Sequence, residues 1–276
     1  MSIQPTENEV NVAEWIRNGI EIRVFAEDLD ASKSVAAEIA NLIRQRAADG
    51  EQCVLGLATG STPIQVYREL IRLHREEQLS WQNVVTFNLD EYFPMQPCAA
   101  QSYVRFMNEQ LFDHVDIRRE NIHIPDGTVS SESVNDYCQR YENLIEAAGG
   151  IDLQLLGIGR TGHVGFNEPG SERASITRLV RLSEITRTDA AKDFGGLENA
   201  PRLAITMGVG TILRSRRIRL LAFGEHKAAI VERSVQGEIS NSVPATYLHD
   251  HRDVTFLLDA AAASKLNHTH SDVSMR

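Results

Sequence analysis

The sequence is poor in lysine. Only Lys33, Lys192, Lys227 and Lys265 occur in 276 residues, and 28 lysines and arginines face 38 aspartates and glutamates, for a formal net charge of −10. A nucleic-acid binder needs a basic face to displace counterions from phosphates, so that class is excluded. An anionic small molecule is not, because it needs only a few local cations and backbone donors. Cysteine is scarce too: Cys53, Cys98 and Cys138 are odd in number and far apart, which argues against a disulfide framework or a Cys-x-x-Cys metal knuckle. No apolar run approaches the roughly 18 residues of a membrane span. Residues 1–15 carry neither the basic nor the apolar part of a secretion signal, which predicts a cytoplasmic chain.

What is present is an alternation of short β-branched runs with longer amphipathic ones. Strands are expected at 20–25, 54–57, 84–87, 121–124, 152–156, 179–182, 217–223 and 254–258. Helices are expected at 31–48, 62–78, 102–114, 135–148, 207–214 and 227–235. In the second of these, Ile64, Tyr67, Leu70, Ile71 and Leu73 recur at helical spacing, and Pro63 sits where a first-turn proline costs nothing. Strand–helix alternation without a Pro/Ser-rich linker or internal repeat predicts one α/β domain, residues 1–264, built on a parallel sheet, with 265–276 as a polar tail. Such sheets keep ligands at the carboxyl ends of their strands.

Three expected strand ends carry chemistry. In Gly56-Leu57-Ala58-Thr59-Gly60-Ser61-Thr62-Pro63 a strand breaks into a small-residue loop that opens a helix. Free N–H groups at a helix start suit a phosphate, Gly60 allows close approach, and Thr59, Ser61 and Thr62 add hydroxyls. A capped helix after a tight turn explains this segment equally well when it is taken alone. In Thr86-Phe87-Asn88-Leu89-Asp90-Glu91-Tyr92 the adjacent acids suit a helix cap, a solvated turn, or a carboxylate base tuned by partial burial.

The third runs from Leu156 through Gly157-Ile158-Gly159-Arg160-Thr161-Gly162-His163 to Glu168-Pro169. Gly157, Gly159 and Gly162 match dinucleotide spacing, but Pro169 and Gly170 interrupt any helix, and Thr177 stands where the ribose-binding acid belongs. A nicotinamide cofactor is not expected. What remains is a histidine on a glycine-rich loop, followed five residues on by a carboxylate that can orient it for proton transfer. Alternate histidines at His249 and His251, and at His268 and His270, are read as solvated surface rather than a metal grip.

Taken together, and in this order, the segments resemble the glucosamine-6-phosphate deaminase family, with weaker echoes at Ser102-Tyr103, at Phe112 to Ile117, at Thr206 to Thr211 and at His226-Lys227-Ala228. The resemblance covers residues 20 to 240. It implies a single α/β domain with an open, mostly parallel Rossmann-like sheet flanked by helices on both faces. It also implies an enzyme that needs no cofactor or metal and turns a phosphorylated amino sugar plus water into a ketose phosphate plus ammonia. By position, Asp90 resembles the base that moves a proton between C2 and C1. His163 resembles the group that opens the sugar ring, oriented by Glu168.

On the same resemblance Thr59, Gly60, Ser61, Thr62, Lys192 and Lys227 hold the phosphate, and Glu91, Gly159, Arg160, Thr161 and Gly162 lie against the substrate. Two positions depart from the pattern. Lys192 replaces an arginine, and Thr161 replaces the aspartate that usually stands two residues before the histidine. The resemblance leaves open which epimer is used and whether the chain forms a homo-oligomer. Two other readings remain. One is a sugar-phosphate lactonase, disfavoured because Tyr92 and Phe166-Asn167-Glu168-Pro169 stand where lactonases carry other residues. The other is a sugar-phosphate sensor that lost efficient proton transfer at Thr161.

Overall fold

Strands that are apolar on both faces must lie inside a sheet covered on both sides. β3 (Cys53–Leu57) and β4 (Val84–Asn88) are buried at every position, and they occupy the interior of the main sheet of the computed structural model, which describes residues 11–267. The other strands of that sheet are β1 (Asn11–Arg17), β2 (Ile20–Phe25), β6 (Ile122–His123), β7 (Leu153–Gly157), β10 (Arg217–Ala222) and β11 (Val254–Asp259). Their order is β1-β2-β11-β10-β7-β3-β4-β6. Every neighbouring pair is parallel except β1 with β2.

Helices α1 (Asp28–Ala48), α2 (Ile64–Glu77) and α3 (Tyr103–Gln110) pack on one face around Ile39, Tyr67, Leu70 and Met107. On the other face lie α4 (Val134–Ala147), α6 (Val209–Leu213) and α7 (Ala228–Gln236), around Tyr141, Ile145, Ile212 and Val231. The architecture is thus the single α/β domain with a mostly parallel, doubly covered sheet that the alternation predicts.

Connectivity creates one special place in this sheet. From β3 the chain proceeds through α2 to β4 and then β6, moving one way; from β7 it goes on to β10 and β11, moving the other way. β3 and β7 are neighbours, so their carboxyl ends diverge and leave a crevice between the loops that follow.

A second sheet is present that the sequence did not lead one to expect. β5 (Asp90–Phe93), β9 (Leu203–Thr206) and β8 (Arg178–Arg181) form a small antiparallel layer in the order β5-β9-β8. The run expected at 179–182 therefore belongs to this layer and not to the parallel sheet. A short helix α5 (Glu184–Ala190) follows β8 and leads into a tight turn over Ala191–Phe194.

The helix expected at 102–114 stops at Gln110 and is followed by a separate turn over Phe112–His114. The solvated reading of His249 and His251 is corrected: the imidazoles bond the backbone carbonyls of Ser234 and Ser215, each at 2.7 Å, and His251 is buried. His268 and His270 lie outside the described residues, as does most of the polar tail; Leu266 packs into the core. No helix among the described residues is long and apolar enough to cross a membrane.

Candidate active site

The crevice at the switch point is a cleft of about 250 Å³, and its walls come from the loops after β3, β4 and β7. After β3, Ala58 to Thr62 turn back into α2. Gly60 has φ +92, a backbone conformation that side chains with a Cβ rarely adopt, and open space lies where its Cβ would point. Among the described residues, the N–H groups of Gly60, Ser61 and Thr62 have no acceptor. The unpaired donors and the start of α2 make this rim attractive to an anion. Pro63 caps the helix from just outside it rather than standing inside its first turn.

After β4 the adjacent acids part company. β5 is a strand, so Asp90 and Glu91 project to opposite faces. Asp90 reaches the cleft, where it is 6% exposed and no protein group among the described residues donates to it. Burial, reinforced by the charge of Glu91, pushes its carboxyl up to about 8. Such a carboxylate is a base held near neutrality.

Glu91 is corrected: it does not enter the cleft. Its carboxylate turns to the start of α3 and accepts the N–H groups of Tyr103 at 2.8 Å and Val104 at 3.2 Å, as well as that of Tyr92. Burial pushes it up to about 7 although these donors pull the other way. The Tyr103 ring so positioned lines the cleft, and burial keeps its hydroxyl well above the usual range.

After β7, the Gly159 N–H donates to the His163 carbonyl at 2.9 Å and the Gly162 N–H to the Gly159 carbonyl at 2.9 Å, closing a tight loop. The imidazole lies back over Gly159; a Cβ there would meet Nε2 at 1.9 Å. Only glycine leaves room for the ring, so the glycine spacing that mimics a dinucleotide loop serves the histidine instead. Nδ1 sits 2.9 Å from the Thr161 hydroxyl and 3.5 Å from Glu168 Oε2, while Nε2 remains for the cleft.

Glu168 Oε1 accepts the Thr186 hydroxyl at 2.6 Å and the Ser183 N–H at 3.2 Å, which ties it to the start of α5. Its Oε2 is buried and, among the described residues, has no hydrogen-bond partner. Burial opposes its ionisation, but the His163 ring and these donors outweigh it and hold the carboxyl at about 2.

Asp90, His163, Thr59, Gly60, Ser61, Thr62 and Gly159 thus share one cleft, with Thr161 and Glu168 behind the imidazole. Gly162 supports the turn and packs toward Val243. Lys227 donates from Nζ to the Ile158 carbonyl in the cleft wall at 2.8 Å. Arg160 stands outside the cleft lining, paired with Asp189 of α5 at 3.0 Å. Lys192 is exposed on the turn after α5 and does not line the cleft. Gly165, Phe166 and Tyr103 also line it, although none is expected from the sequence as a site residue; Gly165 and Phe166 belong to the His163 loop, and Tyr103 to a weak echo.

A model of the family described as glucosamine-6-phosphate isomerases/6-phosphogluconolactonase matches residues 27–257. A glucosamine-6-phosphate deaminase of Shewanella halifaxensis is 47% identical over 238 residues, 86% of this chain and 90% of that protein. A glucosamine-6-phosphate deaminase-like protein of Bacteroides thetaiotaomicron is 46% identical over 237 residues, 86% of this chain; the chain spans only 36% of that protein's length. Among solved structures, a monomeric glucosamine-6-phosphate deaminase superposes with a TM-score of 0.84 at 43% identity, covering 88% of this chain and 99% of that one. A 6-phosphogluconolactonase from Thermotoga maritima shares the fold, with a TM-score of 0.68 at 21% identity over 86% of this chain and 98% of that one.

Proposed function

Because the chain belongs to the glucosamine-6-phosphate isomerase/6-phosphogluconolactonase family, we propose that it is a glucosamine-6-phosphate deaminase, converting glucosamine 6-phosphate and water into fructose 6-phosphate and ammonia. The observation that carries this reading is the meeting of the buried Asp90 carboxylate, without a donor among the described residues, and the His163 imidazole in one cleft beside an anion-binding loop.

The phosphate is held by the Thr59–Thr62 rim and the start of α2. Lys227 is half-buried at the adjoining wall, and Lys192 adds its positive charge from the exposed turn after α5, outside the cleft lining. A lysine there supplies charge but not the two-pronged contact of an arginine. His163 gives a proton to the ring oxygen as the C1 hydroxyl loses one, and the pyranose opens. Glu168 stays ionised and stabilises the imidazolium form. Asp90 then takes the C2 proton and returns it to C1 while O1 gains a proton that the amine gives up, which makes a ketose imine, and water displaces ammonia from C2. Each step is a proton transfer or a hydrolysis without net redox change, so the proposed sequence draws on no cofactor.

Incubating the purified protein with glucosamine 6-phosphate should release ammonia and fructose 6-phosphate in equal amounts. Ammonia from galactosamine 6-phosphate alone would change the epimer. Hydrolysis of 6-phosphogluconolactone without ammonia release would replace this reading with the lactonase. Calorimetric binding without any turnover would replace it with a sensor.

Two variants probe the histidine's surroundings. Gly159→Ala should expel the ring from its place and lower turnover by about 10²-fold, on the scale of losing a positioned acid–base group; steady-state ammonia release beside a circular-dichroism melt measures this. Normal turnover in a folded Gly159→Ala protein would show that the ring need not lie there. Thr161→Asp would put a second carboxylate at Nδ1, where the hydroxyl now sits at 2.9 Å. Turnover should rise on the order of a few-fold, since a charge favours the imidazolium better than a dipole does. Unchanged rates on both amino-sugar phosphates would show that Glu168 alone suffices.

A further inference from the structure

Asp90 and His163 come from loops after different strands of the main sheet, yet proton transfer to one sugar requires a fixed separation between them. The small antiparallel sheet supplies a common anchor. Thr206, the last residue of β9, is fully buried and stands directly opposite Asp90 in the β5–β9 ladder. Its hydroxyl oxygen accepts the Phe166 N–H at 3.1 Å and donates to the Met207 carbonyl at 3.2 Å. Phe166 lies three residues after His163, on the same loop.

The neighbouring bonds point the same way. Asn167, also fully buried, donates both to Val164 O at 2.9 Å and to Met207 O at 2.8 Å, so the loop is tied to the end of β9 twice. Directly before the tied Phe166 stands Gly165, with φ +55; a Cβ there would lie 3.0 Å from the Thr206 hydroxyl and 3.3 Å from Asp90 Oδ2. The hydroxyl, the carboxylate and the loop backbone therefore meet at one point.

We infer that Thr206 is a positioning residue for the proposed reaction: through one hydroxyl it fixes the His163 loop against the strand that sets Asp90. The inference rests on the reading of Asp90 and His163 given above. The hydroxyl touches no reacting atom. It acts because a buried N–H that loses its acceptor pulls its loop away from the alignment, and small misplacements of reacting groups are costly in rate.

The test compares Thr206→Val, which keeps the shape and removes the acceptor, with Thr206→Ser, which keeps the oxygen. For glucosamine 6-phosphate, Thr206→Val should lower kcat by about 10–100-fold and leave KM within about 3-fold, since alignment is lost but the phosphate rim is untouched. Thr206→Ser should restore most of kcat. Amide hydrogen exchange at Phe166 should quicken by about 10-fold in the valine variant and remain slow in the serine variant. Should the valine variant fail to fold, Thr206→Ala, which adds no bulk, carries the same comparison. Equal damage in Ser and Val, or an unchanged kcat and Phe166 exchange in Val, overturns the inference. A wild-type protein that releases no ammonia sinks the functional reading instead, and the Phe166 exchange then still decides whether the anchor exists.

Discussion

Asp90→Asn should lower kcat on glucosamine 6-phosphate by about 10²–10⁴-fold with little change in KM, the loss expected when a positioned base is removed and its shape is kept. The carboxylate receives no hydrogen bond from the described residues and is almost fully buried, and the charge of Glu91 stands one residue away. Both conditions raise its proton affinity, to about 8. A base works only when ionised, so kcat/KM of the wild type should climb as pH rises toward about 8 and then level. The Asn variant should lose that limb. A variant with a third of normal kcat, or with the same pH profile, would end the assignment.

The raised proton affinity of Asp90 also makes stability depend on pH, with the opposite sign. In the fold Asp90 holds its proton up to about 8, against 3.8 for an ordinary aspartate. The folded chain therefore binds one more proton than the unfolded chain across that interval. The contribution is complete below the lower value and is lost as pH rises through the upper one. Asparagine cannot ionise and escapes this loss. The Tm of Asp90→Asn relative to wild type should therefore increase between pH 5 and pH 8.5, by on the order of 10 °C: roughly 3 pH units at about 1.4 kcal/mol each, at roughly 2–4 °C per kcal/mol for a chain of this size. An inactive variant that melts higher at alkaline pH would mark Asp90 as a group held at the expense of stability.

The parallel sheet was legible because its signals are local. β3, β7, β10 and β11 are short apolar runs each bounded by turns, and a helix such as α2 shows its buried Val66, Tyr67, Leu70 and Leu73 as a periodic stripe. The antiparallel layer was not, because pairing from outside makes β5 a strand. Asp90 and Glu91 are poor strand formers, and only β9 alongside and α3 at the Glu91 carboxylate hold them extended. For that reason the sequence could present the two acids as a pair but not separate their tasks. It could also point to His163 by its glycines without showing that Gly159 is the floor under the ring. Thr206 stood only within a weak echo and showed nothing of this role, because a threonine at the end of a short strand matters only for what it faces.

His163→Gln should cost about 10²-fold or more in kcat, and the form of the loss separates its role from that of Asp90. Glutamine can still hydrogen-bond the Thr161 hydroxyl, which now sits 2.9 Å from Nδ1, but it cannot carry a proton from one oxygen to another. If the imidazole opens the ring, the variant must wait for sugar that opens unaided in solution, while Asp90 still processes each open chain it captures. The steady rate with His163→Gln should then stop rising with enzyme concentration once capture outpaces spontaneous opening. With Asp90→Asn the slow step stays on the protein, and the rate should remain proportional to enzyme throughout. Proportional rates in both variants would mean that His163 acts after ring opening. The carboxylate of Glu168, held at about 2 and 3.5 Å from Nδ1, would then serve a different proton from the one assigned here.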